Sequence, residues 1–248
     1  MNRREFLTAG AGLSAFALMA GDDTVPLQVG LANGGTLKPP AKGAINVAFL
    51  VSESSNVIDM SGPWEVFQDV HVDNRGSAMT DMMPFQLFTV AETQKPVRLT
   101  GGLHVVPDYA VDNAPPPNLV VVPAMRSSPK VLEWLRTVSG RTDLTMSVCT
   151  GAFQLGRAGL LKGKPATTHH EFYDAFAREF PDTELKRGVR FVEGAGNIAT
   201  AGGLTSGIDL ALRTVERYFG REIARRTATY LEYTGTGWQT SDVTANDR

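Results

Sequence analysis

From residue 44 onward, apolar residues along this chain recur with two spacings, and the two alternate. INVAFLV (45–51) is an apolar run rich in β-branched residues, and FQLFTVA (85–91), NLVVVP (118–123) and DLTMSV (143–148) read as further strands. Such runs predict strands buried on both faces of a parallel sheet, because a half-exposed strand would alternate polar and apolar residues. Between them the apolar positions follow helical spacing. SGPWEVFQDVH (61–71) predicts a helix capped by Ser61, with Trp64, Val66, Phe67 and Val70 available for packing, and SPKVLEWLRTVS (128–139) places Val131, Leu132, Leu135 and Val138 on one stripe. Further helices are predicted over 151–161, 171–180, 206–219 (ended by Gly220) and 221–233. Residues 97–111 and 188–203 read as hairpins turning at Gly101-Gly102 and at Gly194 to Gly196. Strands alternating with helices of this length predict an α/β fold, a doubly wound parallel sheet sandwiched by helices, as a single domain over 44–236 followed by a tail at 237–248.

The first residues break this pattern. MNRREFLTAGAGLSAFALMAG places Arg3 and Arg4 ahead of Phe6-Leu7 and a moderately apolar run ending in small residues, as in a twin-arginine export signal over 1–20. The run from Phe6 to Ala20 is shorter than the roughly 20 residues that span a bilayer and is diluted by Gly and Ser, so no stable membrane insertion is expected after cleavage. The alternative is an uncleaved amphipathic leader on a cytoplasmic protein. Residues 21–43, with Gly and Pro but no sustained periodicity, read as a flexible linker. The expected location is periplasmic or otherwise exported, with the twin-arginine translocase as a partner during export.

Composition narrows the function classes. A formal net charge of -2 without a dense Lys/Arg block removes the basis for nonspecific nucleic-acid binding. The single cysteine, Cys149, cannot form an intramolecular disulfide, and no cysteine near the signal means no lipid anchor there. His71 and His104 are isolated and His169-His170 are adjacent, which is not a metal-ligand spacing, so no metal is expected. On a strand, His169 and His170 would face opposite sides and could not act together.

Cys149 lies where a predicted strand meets a predicted helix, the junction at which open α/β sheets bind ligands. Ser147 and Gly151 flank it in SVCTG, the small-residue pattern of a nucleophile elbow, a tight and strained strand-to-helix turn. A thiol at a helix N-terminus is expected to have its pKa drawn down from about 8.5 toward neutrality, and the Thr150 amide would point to where an oxyanion forms. The alternative is a packed core thiol, since free cysteine is among the most buried residue types. Asp59, in VIDMSGP, reads from its neighbours as a helix-capping residue.

Taken together, SVCTGAFQLGRAGLLKGKPATTHH, NVIDMSGPWEVF and TAGGLTSGIDLALRTVERYFGREIARRTATYLEY resemble the ThiJ/PfpI superfamily, a branch of the class I glutamine amidotransferase-like fold, and most closely its isonitrile hydratase-like members. The likeness spans about residues 45 to 234. It implies a flavodoxin-like sandwich, a homodimer, no cofactor, and Cys149 as nucleophile working with Asp59, while the Thr150 hydroxyl orients substrate or water. It also implies that His169, in ATTHH, is a base or orienter near the thiolate. Relatives carry Gly-Gly where this chain has Ala124 and Met125, the backbone position that completes the oxyanion hole, which bears on the substrate. The resemblance implies hydration of small isonitriles to N-substituted formamides. Alternatives are a glyoxalase- or hydrolase-like thiol enzyme on small carbonyl compounds, and a non-catalytic ligand-binding or redox-protective protein. Fifteen residues after Tyr233 are too few for the helix-turn-helix module of related regulators.

Overall fold

The computed structural model describes residues 34–239 except 42, 74, 77 and 195; the expected export signal, residues 21–33 of the linker and residues 240–248 of the tail lie outside them. The chain runs β1 (Ile45–Leu50), α1 (Val57–Gln68), α2 (Met79–Met82), β2 (Phe85–Ala91), β3 (Val97–Arg98), β4 (His104–Val105), β5 (Tyr109–Ala110), β6 (Leu119–Val122), α3 (Pro129–Ser139), β7 (Leu144–Ser147) and α4 (Gly151–Arg157). It continues with β8 (Pro165–Ala166), α5 (Tyr173–Glu179), β9 (Glu184–Leu185), β10 (Phe191–Glu193), β11 (Ile198–Ala201), α6 (Ser206–Phe219) and α7 (Arg221–Tyr230). Seven strands form the main sheet in the order β10-β11-β7-β6-β1-β2-β5. Every neighbouring pair is parallel except β10 with β11.

The unbroken apolar runs fill both faces, as a doubly covered parallel sheet requires. Val47, Phe49, Leu119, Val121 and Met146 pack with Val66 and Phe67 of α1 and Leu210 and Val215 of α6. On the other face, Ala48, Leu50, Val120 and Val122 pack with Val131 and Leu135 of α3, Ala152 and Leu155 of α4 and Phe176 of α5. The result is the doubly wound α/β sandwich read from the periodicities.

Sheet order decides which loops meet. β1 runs on to β2 on one side, whereas β6 is followed by β7 on the other, so the carboxyl ends of β1 and β6 flank a topological switch point, the usual place for a ligand site in such sheets. Three of the four positive-φ non-glycine residues among those described, Ser54 (64°), Cys149 (58°) and Leu204 (52°), lie in loops following β1, β7 and β11. Backbone strain is concentrated at one end of the sheet.

Several boundaries differ from the sequence reading. α1 begins at Val57, and its cap is Asn56, whose side chain accepts from the Ile58 amide at 3.2 Å, rather than Ser61. The helix continues through Pro63, and Gly62 lets it approach α6 so closely that a Cβ there would lie 2.9 Å from Ile208 Cγ1. The hairpin at Gly101-Gly102 is confined to β3 and β4, while Tyr109-Ala110 joins the main sheet as its edge strand. Residues 34–37, expected as linker, are fastened to α6: the Leu37 amide donates to the Arg217 carbonyl at 2.8 Å, and the Gly34 amide donates to buried Glu193 at 3.1 Å. Trp238, expected in the tail, is 2% exposed and belongs to the core.

Candidate active site

Cys149 sits one residue beyond Val148, at the carboxyl end of β7, with φ of 58°. The elbow is held by its own backbone. The Cys149 amide donates to the Gly202 carbonyl at 2.8 Å, the Val148 amide to Val122 at 3.0 Å, and the Gly151 amide to Val148 at 2.9 Å. Thr168 Oγ1 donates to the Cys149 carbonyl at 2.9 Å. Gly151 is required by space: a Cβ there would stand 2.1 Å from the Val122 carbonyl oxygen. The residue is 6% exposed, and it packs with the core cluster on the α1 and α6 face of the sheet.

The first turn of α1 carries Asp59 to the sulfur. The residue is 0% exposed, and its Oδ2 accepts from the Ala124 amide at 3.0 Å. Its Oδ1 makes no regular hydrogen bond; the thiol and the Leu204 amide approach the carboxyl group more loosely. The capping reading of Asp59 is therefore wrong, because Asn56 performs that function and Asp59 is inside the helix.

Electrostatics at the pair overturn one expectation. Burial pushes Asp59 up from 3.8 to about 6, opposed by the Ala124 amide, the thiol and the Leu204 amide. Burial, followed by the Asp59 carboxylate, pushes the Cys149 thiol up to about 12, opposed by the Thr150 and Leu204 amides. The expected depression does not occur, because desolvation, with the neighbouring carboxylate second, outweighs the lowering by the Thr150 and Leu204 amides. From about pH 6 to about 12 the pair thus holds one proton for two sites, and it titrates as a unit. That arrangement suits transfer of a proton between carboxylate and sulfur as the sulfur reacts.

The backbone donors also differ from expectation. The Thr150 amide faces the sulfur as expected. The Ala124 amide is taken by Asp59 and cannot serve an oxyanion while that bond holds. Met125 is 8% exposed, and its carbonyl accepts from Gln154 Nε2 at 2.9 Å. The donor that the sequence reading missed is the Leu204 amide, which faces both the sulfur and Asp59. Its turn is held by Arg190, whose carbonyl accepts from the Gly202 amide at 2.9 Å and whose guanidinium reaches Thr205 Oγ1 at 3.3 Å and the buried Asp209 at 2.5 Å. The sequence signal was Gly202-Gly203 ahead of a helix, but only the pairing of β11 with β7 brings that turn to Cys149.

Among the described residues no hydrogen bond joins His169 to the sulfur. His169 precedes a 3-10 turn, its Nδ1 accepts from the Glu171 amide at 3.3 Å, and its ring packs over Gly203, where a Cβ would lie 2.2 Å from Cδ2. Burial and then His170 lower its pKa, partly offset by Glu171, so the ring is neutral with its proton on Nε2, a donor rather than a base. His169 and His170 do not occupy a strand and do not face apart: their rings stack at 4.5 Å. His169→Ala is accordingly expected to leave the pH profile of Cys149 alkylation unshifted, and any displacement of the profile in the variant would place this ring within reach of the sulfur. Among the described residues no cluster of three His, Cys, Asp or Glu side chains is arranged to hold a metal.

Comparison with known proteins agrees with this geometry. The DJ-1/PfpI family profile matches residues 45–217. The chain is 29% identical to the isonitrile hydratase of Pseudomonas putida over 196 residues, which cover 77% of this chain and 79% of that protein. It is 32% identical over 135 residues to the HTH-type transcriptional regulator CdhR of Pseudomonas aeruginosa, covering 52% of this chain but 39% of the regulator. Among solved structures, it is similar to a ThiJ/PfpI family protein from Pseudomonas syringae, with a TM-score of 0.68 and 27% identity, covering 80% of this chain and 78% of that one. With its elbow cysteine, its doubly wound sheet and the family profile covering residues 45–217, this chain belongs to the DJ-1/PfpI family.

Proposed function

We propose that the protein is a cofactor-free hydratase that adds water to small isonitriles and yields N-substituted formamides. The observation that carries this reading is the buried Asp59 carboxylate set beside the Cys149 thiol, which burial and that carboxylate keep protonated. An isocyanide carbon accepts both a nucleophile and a proton, so it needs one of each at the same place. As the sulfur attacks, Asp59 takes the thiol proton and returns it to the carbon, giving a thioformimidate, R–N=CH–S–Cys149. Water then adds across C=N, the carbon–sulfur bond breaks, and the thiol regains its proton. The similarity to the Pseudomonas putida hydratase supports this choice of electrophile. Arg3-Arg4 and the apolar run to Ala20 support export as part of the proposal.

Purified protein with reduced Cys149 is expected to release formamides from a panel of alkyl and aryl isonitriles, and Cys149→Ser to fall to the uncatalysed rate. Turnover of methylglyoxal with none of isonitriles would replace this reading by a glyoxalase-like one.

A further inference from the structure

The Leu204 amide stands at Cys149 and Asp59 on a turn whose backbone is strained. Leu204 has φ of 52°, a left-handed conformation that is costly for a residue with a Cβ and persists only where the surroundings fix it. The turn joins β11 to α6, and Arg190 grips it at both ends. Phe191 of β10 lies opposite Ala201 of β11, and one step beyond that pair the Gly202 amide donates to the Arg190 carbonyl at 2.9 Å. The Gly202 carbonyl in turn accepts from the Cys149 amide at 2.8 Å, which ties the same end of the turn to the elbow. On the far side of Leu204, the Arg190 guanidinium reaches Thr205 Oγ1, at 3.4 Å from Nη1 and 3.3 Å from Nη2. Backbone and side chain of one residue thus bracket Gly203 and Leu204.

The guanidinium is itself held from inside the protein. Its Nε donates to Asp209 Oδ2 at 2.5 Å, and its Nη2 pairs with the same carboxylate. The Asp209 side chain is 1% exposed and that of Arg190 16%. Asp209 also accepts from the Tyr233 hydroxyl at 3.1 Å and from the Trp238 amide, so the carboxylate has little freedom to turn. An ion pair taken this far out of water adds little net stability, because desolvation offsets the attraction; what it secures is one arrangement of the groups it joins. Here it joins the first turn of α6, which carries Asp209, to the strand edge beside the elbow.

We propose that Arg190 is a positioning residue for the nucleophile: anchored on Asp209, it holds the strained turn in place and so sets where the Leu204 amide stands against Cys149 and Asp59. The role is independent of which electrophile the sulfur attacks. Asp59 is the charged neighbour acting on the thiol, and Cys149 the titratable neighbour acting on Asp59; Arg190 acts on them through the amide. Because that amide favours the charged form of both groups, a displaced turn raises the proton affinity of thiol and carboxyl group together.

The test uses the full chain and follows the rate of Cys149 alkylation by iodoacetamide against pH, with no need for turnover. Arg190→Lys keeps a positive charge beside Asp209 but loses the planar fork that spans Asp209 and Thr205 at once. The variant is expected to alkylate about twofold or more slowly at pH 8, the scale of one displaced hydrogen bond, with its profile moved to higher pH. Adding Leu204→Gly is expected to restore the rate, because positive φ is no strain for glycine and the turn then keeps its shape without the grip. Should Arg190→Lys not fold, Thr205→Val, at an exposed position, removes the same outer contact. A wild-type profile in the folded variant overturns the proposal. So does a slowed profile that Leu204→Gly leaves unchanged, which would make Arg190 a general stabiliser and nothing more.

Discussion

Asp59→Asn is expected to speed alkylation of Cys149 while slowing hydration by about 10²- to 10⁴-fold, the usual contribution of a positioned acid–base group. The two readouts diverge because the carboxylate acts on sulfur in two ways. Its negative charge is among the causes that raise the thiol's proton affinity, so a neutral amide of the same shape lowers it and exposes more thiolate at pH 8. An amide cannot carry the proton to carbon. In the wild type, turnover should rise with pH through about 6, as Asp59 becomes able to accept a proton, and then level off; the variant should lack that limb. Stability responds in the opposite sense. The folded protein holds the Asp59 proton up to about 6, whereas an ordinary carboxylate releases it near 3.8, so this group's contribution is full below about 4 and is lost as pH rises through about 6. Asp59→Asn should flatten that slope in thermal melts. Alkylation rates identical across the pH range in both proteins would separate Asp59 from the sulfur and sink the shared-proton scheme.

Gly151→Ala is expected to cost about 3 kcal/mol or more, a drop of roughly 6 to 12 °C in Tm for a domain of this size. The added Cβ would stand 2.1 Å from the Val122 carbonyl oxygen and 2.8 Å from that of Pro123. Both are backbone atoms at the end of β6, and the Val122 oxygen is already bonded by the Val148 amide. Relief would require β6 and β7 to part at the elbow. Gly35→Ala, where a Cβ meets nothing within 4 Å, is the control expected to melt like wild type. A Gly151→Ala protein with unchanged Tm and unchanged Cys149 alkylation would mean that the elbow yields far more easily than its hydrogen bonds indicate.

Much of the layout was readable from the chain because its strands are mostly buried: Ile45 to Leu50 forms the strand its apolar, β-branched run predicts. Cys149 was readable too, since only small residues fit around such a turn. Four features were not. Asn56 and Ser61 are equally good caps by composition, and the tertiary fit of Gly62 against Ile208 supports a helix that starts before both Asp59 and Ser61. The donors at the sulfur depend on neighbours distant in sequence: Ala124 is claimed by Asp59, and Leu204 arrives from the strand beside β7. The proton affinity of the thiol depended on burial, which a local motif does not contain; a helix end alone pointed the wrong way. His169 and His170 were paired as opposites under a strand geometry that the 3-10 turn replaces with a stack.

The two ends of the described chain converge on α6. Arg213 and Arg217 grip the backbone of Gly34 and Gly35, while Asp209 gathers Arg190, Tyr233 and the Trp238 amide. The helix so clasped is the one that follows the Leu204 turn. Fraying at either end of the described chain is therefore expected to loosen the Leu204 turn with it, as one cooperative opening. A tether pulling on either extremity would be felt at the sulfur.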